Sequence, residues 1–224
     1  MTRGRNGARK PGGKTARPGQ RAGAGRAARA RELVALLAGR PLVLVGMMGA
    51  GKTTVGKRVA ARLERRFVDS DEEIERAAQM TIPEIFAQRG EDEFRSGETR
   101  VIARLLREPD LVLATGGGAF INAETRALIR DHAVSVWIKA DFELLFARVS
   151  KRSNRPLLHT ADPRATLKAL IEARYPVYAE ADVTVVSRDV PHESVAGDLI
   201  AAVIAALREH DAPAAEPTEE LPTS

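Results

Sequence analysis

The 224-residue sequence predicts an α/β protein with a parallel sheet covered by helices on both faces. Three observations carry that expectation. Short apolar runs at 42–45, 67–69, 111–114, 134–138 and 183–186 are continuous rather than alternating, as befits strands buried on both sides. Helical stretches separate each run from the next, which is the connection that parallel strands require. A glycine-rich turn follows the first run and leads into a helix, an arrangement that presents backbone N–H groups to an anion. No internal repeat and no second core is visible, so one domain is expected between two tails.

Taken in order, the chain starts with a region rich in charge and poor in apolar residues. Residues 1–31 carry ten Lys and Arg and no Asp or Glu, with Gly and Pro scattered among them. A basic tail is therefore expected over 1–30, disordered to about Ala24, ahead of a helix over 27–37 that Gly39 and Pro41 end. The remainder holds 25 basic and 30 acidic residues, so the net charge of +5 resides in the tail. The tail reads as a solvated extension, and no specific nucleic-acid partner is expected. An arm for nucleic acid or an anionic surface is the alternative; a transit peptide is a third, disfavoured by the Gly and Pro content.

Further along, Thr81-x-x-Glu84 forms a capping box ahead of Ile85 and Phe86, and Gly90 sits where that helix should stop. Asp162 followed by Pro163 marks another helix start. From 210 to 224, three prolines and only acidic charges predict a second disordered tail. The absence of cysteine excludes disulfides and thiolate metal clusters and suits a reducing compartment. The four histidines lack ligand spacing, and Trp137 reads as core. The apolar runs fall short of the ~20 residues that span a bilayer, so a soluble protein without membrane contact is expected.

Chemistry begins after the first strand. Gly46-Met47-Met48-Gly49-Ala50-Gly51-Lys52-Thr53 satisfies G-x-x-x-x-G-K-[ST] between a strand and a helix. Gly46, Gly49, Ala50 and Gly51 let successive N–H groups turn inward around a β-phosphate, with Thr54 next along the helix. Lys52 reaches the β- and γ-phosphates, and the Thr53 hydroxyl suits Mg²⁺. Guanine-switch chemistry is not expected: Ile138-Lys139-Ala140-Asp141 lacks the Asn that would read guanine, and Ala114-Thr115-Gly116 offers no carboxylate for a metal.

Asp69-Ser70-Asp71 follows the second strand, and alternation there directs both carboxylates to one side. One can serve a metal's water shell while the other accepts a proton from a substrate hydroxyl. The bland alternative makes Asp71 a cap for a helix over 72–78. After the third strand, Gly116-Gly117-Gly118 allows backbone to approach a ligand closely, or is merely a flexible turn.

Together with Phe94-Arg95-x-x-Glu98, Gly118-Ala119, Arg155-Pro156-Leu157-Leu158 and Arg174-x-x-x-Tyr178, in this order, these motifs resemble the shikimate kinase family over roughly residues 40 to 209. The resemblance implies a P-loop NTPase fold of the nucleoside-monophosphate-kinase type. Its features would be a five-stranded sheet in order 2-3-1-4-5, a kinase domain over 31–209, and a mobile lid at about 150–162. It also implies one Mg²⁺ with ATP, and transfer of the γ-phosphoryl group to the 3-hydroxyl of shikimate for aromatic amino-acid biosynthesis, by a cytoplasmic monomer.

Carried over residue by residue, the resemblance places Arg95 and Arg174 on the substrate carboxylate, which a guanidinium fork matches better than an ammonium. Asp71 would bind ring hydroxyls and act as base, with Gly116, Gly117 and Gly118 along the substrate. Asp69 would join Thr53 at the Mg²⁺ shell. Arg155 would close from the lid over the phosphates, and Arg148 would stack on adenine. Arg152 and Ser153 leave the lid with few glycines, a departure that bears on its mobility. Two other readings compete: a P-loop kinase of another small molecule such as gluconate, and a nucleotide-dependent binding module with a nucleic-acid arm. Neither needs the set Asp71, Arg95 and Arg174.

Overall fold

The computed structural model describes residues 18–151 and 160–211. Five strands, β1 (Leu42–Val45), β2 (Arg66–Asp69), β3 (Leu111–Ala114), β4 (Val134–Lys139) and β5 (Val183–Val186), form one parallel sheet in order β2-β3-β1-β4-β5. Each expected run is a strand to within one residue at either end. β1 lies at the centre, with Val43 opposite Leu113 on one side and Ser135 on the other. All four of its residues are fully buried, which explains the unbroken apolar run. β5 is an edge strand and alternates, with Val183 and Val185 inward and Thr184 and Val186 outward.

Among the described residues, eight α-helices cover the sheet: α1 (Pro18–Leu37), α2 (Lys52–Leu63), α3 (Ser70–Ala78), α4 (Ile82–Leu105), α5 (Ala123–His132), α6 (Phe142–Ser150), α7 (Pro163–Tyr178) and α8 (His192–Asp211). The capping box is present: Thr81 N–H donates to the Glu84 carboxylate at 2.8 Å, and Glu84 N–H to Thr81 Oγ1 at 3.4 Å. The helix that starts at the capping box stops at Gly90 as expected, at the non-helical angles φ 82 and ψ 176, and a second helical segment follows directly, so α4 is two helices joined at a kink. Asp162 caps α7 by accepting from Ala165 N–H at 3.0 Å.

Three local expectations change. α1 begins at Pro18, so the boundary expected at 30/31 falls inside a helix. Ala30, Leu33 and Leu37 recur at helical spacing and are buried where α1 lies on α8 and α2, and this tertiary contact outweighs the low apolar content of the preceding residues. α3 starts at Ser70, and its cap is Asp69, which accepts from Asp71 N–H at 3.2 Å; Asp71 is therefore not the cap. α8 extends to Asp211, two residues past the expected domain end.

One continuous core surrounds the sheet and includes Trp137, packed against Tyr175 and Tyr178. A smaller cluster of Ile74, Ile85 and Phe94 lies between α3 and α4, where it fixes the base of the segment that carries Arg95.

Candidate active site

The chain leaves β1 through a loop that only glycine can start. Gly46 has φ 134, and a Cβ there would lie 2.7 Å from the Ile138 carbonyl oxygen. Gly51, at φ 103, precedes the first residue of α2, so the free N–H groups of that helix's first turn open onto the loop. The Lys52 ammonium donates to the Gly46 and Met47 carbonyl oxygens at 2.7 and 3.0 Å, which holds its charge across the mouth of the loop. Thr53 Oγ1 donates to Asp69 Oδ2 at 2.8 Å. With its other oxygen capping α3, Asp69 joins the phosphate loop to the end of β2.

A cleft of about 480 Å³ lies along this loop, and Asp69, Asp71, Thr115, Gly116 and Gly117 also line it. Thr54 and Arg148 belong to the same cleft. Arg148 donates to the Gly49 and Ala50 carbonyl oxygens at 3.4 and 3.5 Å, to Ser187 Oγ at 3.1 Å, and to the Arg188 carbonyl oxygen at 3.2 Å. It thereby ties the phosphate loop to the segment after β5.

Opposite stands a wall made of side chains. Arg95 Nη1 donates to Glu98 Oε2 at 2.7 Å, and Arg95 Nε and Nη2 donate to Glu91 Oε1 at 3.3 and 3.2 Å. Glu98 is 1% exposed. A Cβ on Gly116 would meet Asp71 Oδ1 at 2.7 Å and Glu98 Oε1 at 3.0 Å, so these two carboxyl groups flank the start of the glycine run. A Cβ on Gly118 would lie 2.7 Å from Arg95 Cζ. Arg174 Nη1 donates to the Gly117 carbonyl oxygen at 3.3 Å, and the Tyr178 hydroxyl donates to the same oxygen. A second cavity of about 270 Å³ opens between Arg95, Gly118 and Arg174.

The electrostatics follow from burial. Loss of solvent pushes the Glu98 carboxyl above the usual carboxylate range, with Asp71 adding to the shift and Arg95 and Arg174 opposing it. Burial works against the Arg95 charge, but the carboxylates of Glu98 and Glu91 outweigh it and raise the guanidinium further. The Tyr178 hydroxyl is pushed up to about 12, chiefly by burial, and so remains a donor.

Thus Lys52, Thr53, Asp69, Asp71, Gly116 and Gly117 line the first cavity, and Arg95, Gly118 and Arg174 the second. Arg155 and most of the expected lid lie outside the described residues. Glu98 and Tyr178 stand within sequence motifs that by themselves assign them no role; the only local signal for Glu98 is its position three residues after Arg95, one helical turn away. Among the described residues, no group of three or more His, Cys, Asp or Glu side chains is placed to hold a metal. Nor is any helix among them long and apolar enough to cross a membrane.

A phosphate cradle on one wall, with a carboxylate beside two guanidinium groups on the other, at the carboxyl ends of a 2-3-1-4-5 parallel sheet, defines a P-loop kinase of small molecules. The family model for shikimate kinase matches residues 48–204. A shikimate kinase from Nitrobacter winogradskyi is 61% identical over 168 residues, which are 75% of this chain and 78% of that protein. The chain belongs to the shikimate kinase family, whose members are ATP-dependent phosphotransferases. A shikimate kinase from Acinetobacter baumannii, solved in complex with shikimate, superposes with a TM-score of 0.73 at 38% identity, covering 77% of this chain and 97% of that one. A gluconokinase from Sinorhizobium meliloti 1021, with a TM-score of 0.55 at 16% identity over 77% of this chain and 95% of that one, shares the architecture alone.

Proposed function

We propose that the chain transfers the γ-phosphoryl group of ATP to the 3-hydroxyl of shikimate through the residues gathered in this cleft. The observation that carries the reading is the grouping of Asp71, Glu98, Arg95 and Arg174 around Gly116–118, facing the loop that presents Lys52. Shikimate is a carboxylate with three hydroxyls, and the wall offers what it needs: two guanidinium forks for the carboxylate and an aspartate for the hydroxyls. Asp71 accepts the proton of the attacking hydroxyl, and Lys52 draws charge from the β- and γ-phosphates. Glu98 holds Arg95 in place, while Tyr178 and Arg174 fix the Gly117 peptide. Arg148 contacts the nucleotide, and Arg155 brings a further cation over the phosphates from a lid at about 150–162.

Mg²⁺ suits Thr53 and Asp69, because a hydroxyl and a carboxylate already in contact are the hard oxygen donors this ion takes, alongside water and phosphate. When bound it neutralises phosphate charge. The catalytic unit is taken as 31–209, extended by the rest of α1 back to Pro18 and by the end of α8 to Asp211. The absence of cysteine supports a reducing cytoplasm. An ADP-release assay comparing shikimate, gluconate and nucleoside monophosphates tests the function. Release with shikimate alone is expected, and release with gluconate alone would overturn the reading.

A further inference from the structure

His192 is given no role by the chemistry above, yet it lines the same cleft as the phosphate loop and Arg148. Its ring edge faces Gly51: a Cβ there would lie 3.6 Å from His192 Cε1 and 3.8 Å from Nδ1. The ring can approach because the loop needs glycine at this backbone angle. His192 Nδ1 is buried and has no hydrogen-bond partner. Elsewhere in the fold buried hydroxyls are satisfied, as Thr99 with Thr125 and Ser135 with Asp182 show, whereas Trp137 Nε1 in the core is not. Leaving such an atom unpaired costs about 1–3 kcal/mol, a penalty that a ligand group in the cleft would relieve.

We propose that His192 is a nucleotide-binding residue whose imidazole hydrogen-bonds the nucleoside end of ATP, beside Arg148. The inference rests on the nucleotide lying in this cleft. Burial, together with the Arg148 and Arg58 guanidinium groups, lowers the His192 pKa from its ordinary value, so the ring is neutral at pH 7 and carries one donor and one acceptor. A neutral ring adds no charge to the phosphate cradle. It suits the hydroxyls and amines of a nucleoside, which both give and take hydrogen bonds.

The test separates nucleoside from phosphate. In His192→Ala the KM for ATP should rise about fivefold, the worth of one net hydrogen bond, with the KM for shikimate and kcat at saturating ATP unchanged. His192→Gln should restore most of the loss. Inorganic tripolyphosphate should inhibit the parent and His192→Ala equally, whereas adenosine should inhibit the parent and lose potency in the variant. An unchanged KM for ATP, or equal weakening of tripolyphosphate and adenosine, would overturn the assignment. Should His192→Ala not fold, the ring-nitrogen NMR signal of His192 in the parent protein, identified by its absence from His192→Gln, should shift on adding adenosine; a signal that does not move overturns it equally. Failure of the underlying reading is distinguishable, since tripolyphosphate would then not compete with ATP in the parent protein.

Discussion

The two walls of the cleft are built from different materials. The phosphate wall is mostly backbone: N–H groups at the start of α2, glycine at the turn, and one ammonium bound to two carbonyl oxygens of its own loop. The substrate wall is mostly side chain, with Arg95, Glu98, Asp71 and Arg174 brought from α3, α4 and α7 to surround three glycines. Backbone recognises what every nucleoside triphosphate shares. In the proposed function side chains recognise one small acid, and each depends on another to hold its orientation. A substitution in the first wall should therefore impair phosphoryl transfer with any acceptor, whereas one in the second should act through a single substrate.

Breaking each wall tests that division. The largest effect is expected for Asp71→Asn, which removes the proton acceptor at nearly constant shape: kcat should fall by roughly 10²–10⁴ with the KM for ATP little changed. Steady-state kinetics showing kcat within a few-fold of the parent would remove Asp71 as the base. Lys52→Ala should lower kcat by about 10²–10³ whatever acceptor is offered. An effect confined to shikimate would blur the two walls.

Gentler changes sharpen the contrast. Arg95→Lys loses the fork, and Gly118→Ala displaces it, since the new methyl would crowd the Arg95 guanidinium that Glu98 and Glu91 hold. Both should raise the KM for shikimate about tenfold, the range of a charged hydrogen bond, and leave the KM for ATP alone. If the ATP constant moves instead, Arg95 serves the other wall.

The smallest effect is on stability. Because burial raises the Glu98 pKa in the folded chain, its contribution is fully present below the unfolded carboxylate pKa and is lost as pH rises through the folded value. Thermal melts across that interval should show the parent losing stability relative to Glu98→Gln. A gap that widens in the parent's favour would mean that the pair with Arg95 outweighs burial.

The same division decides what could be read in the sequence. The phosphate wall is contiguous, so eight residues between a strand and a helix disclosed it. The co-location of Asp69 and Asp71 was also legible, although by a different cause: strand alternation gives way to a helix that begins at Ser70 and is capped by Asp69. Glu98 was not legible, because its meaning lies in contact with Gly116 and Asp71, which are distant along the chain. His192 meets Gly51 across 141 residues, with no periodicity to announce it. α1 was underestimated because three buried side chains determine it, and their partners lie on α2 and α8.

The position of β1 bears on how the chain is made. Among the described strands it is made first, yet it pairs with β3 and β4 and not with β2. At a ribosomal rate of roughly 5–20 residues per second, Leu42–Val45 is exposed for several seconds before its first neighbour emerges, and longer before its second. During that interval the strand that carries the phosphate loop is an unpaired apolar edge, open to pairing with another nascent chain. The element most central to the finished enzyme is thus the one most exposed during its birth, and early chaperone contact would fall on the segment that later cradles ATP.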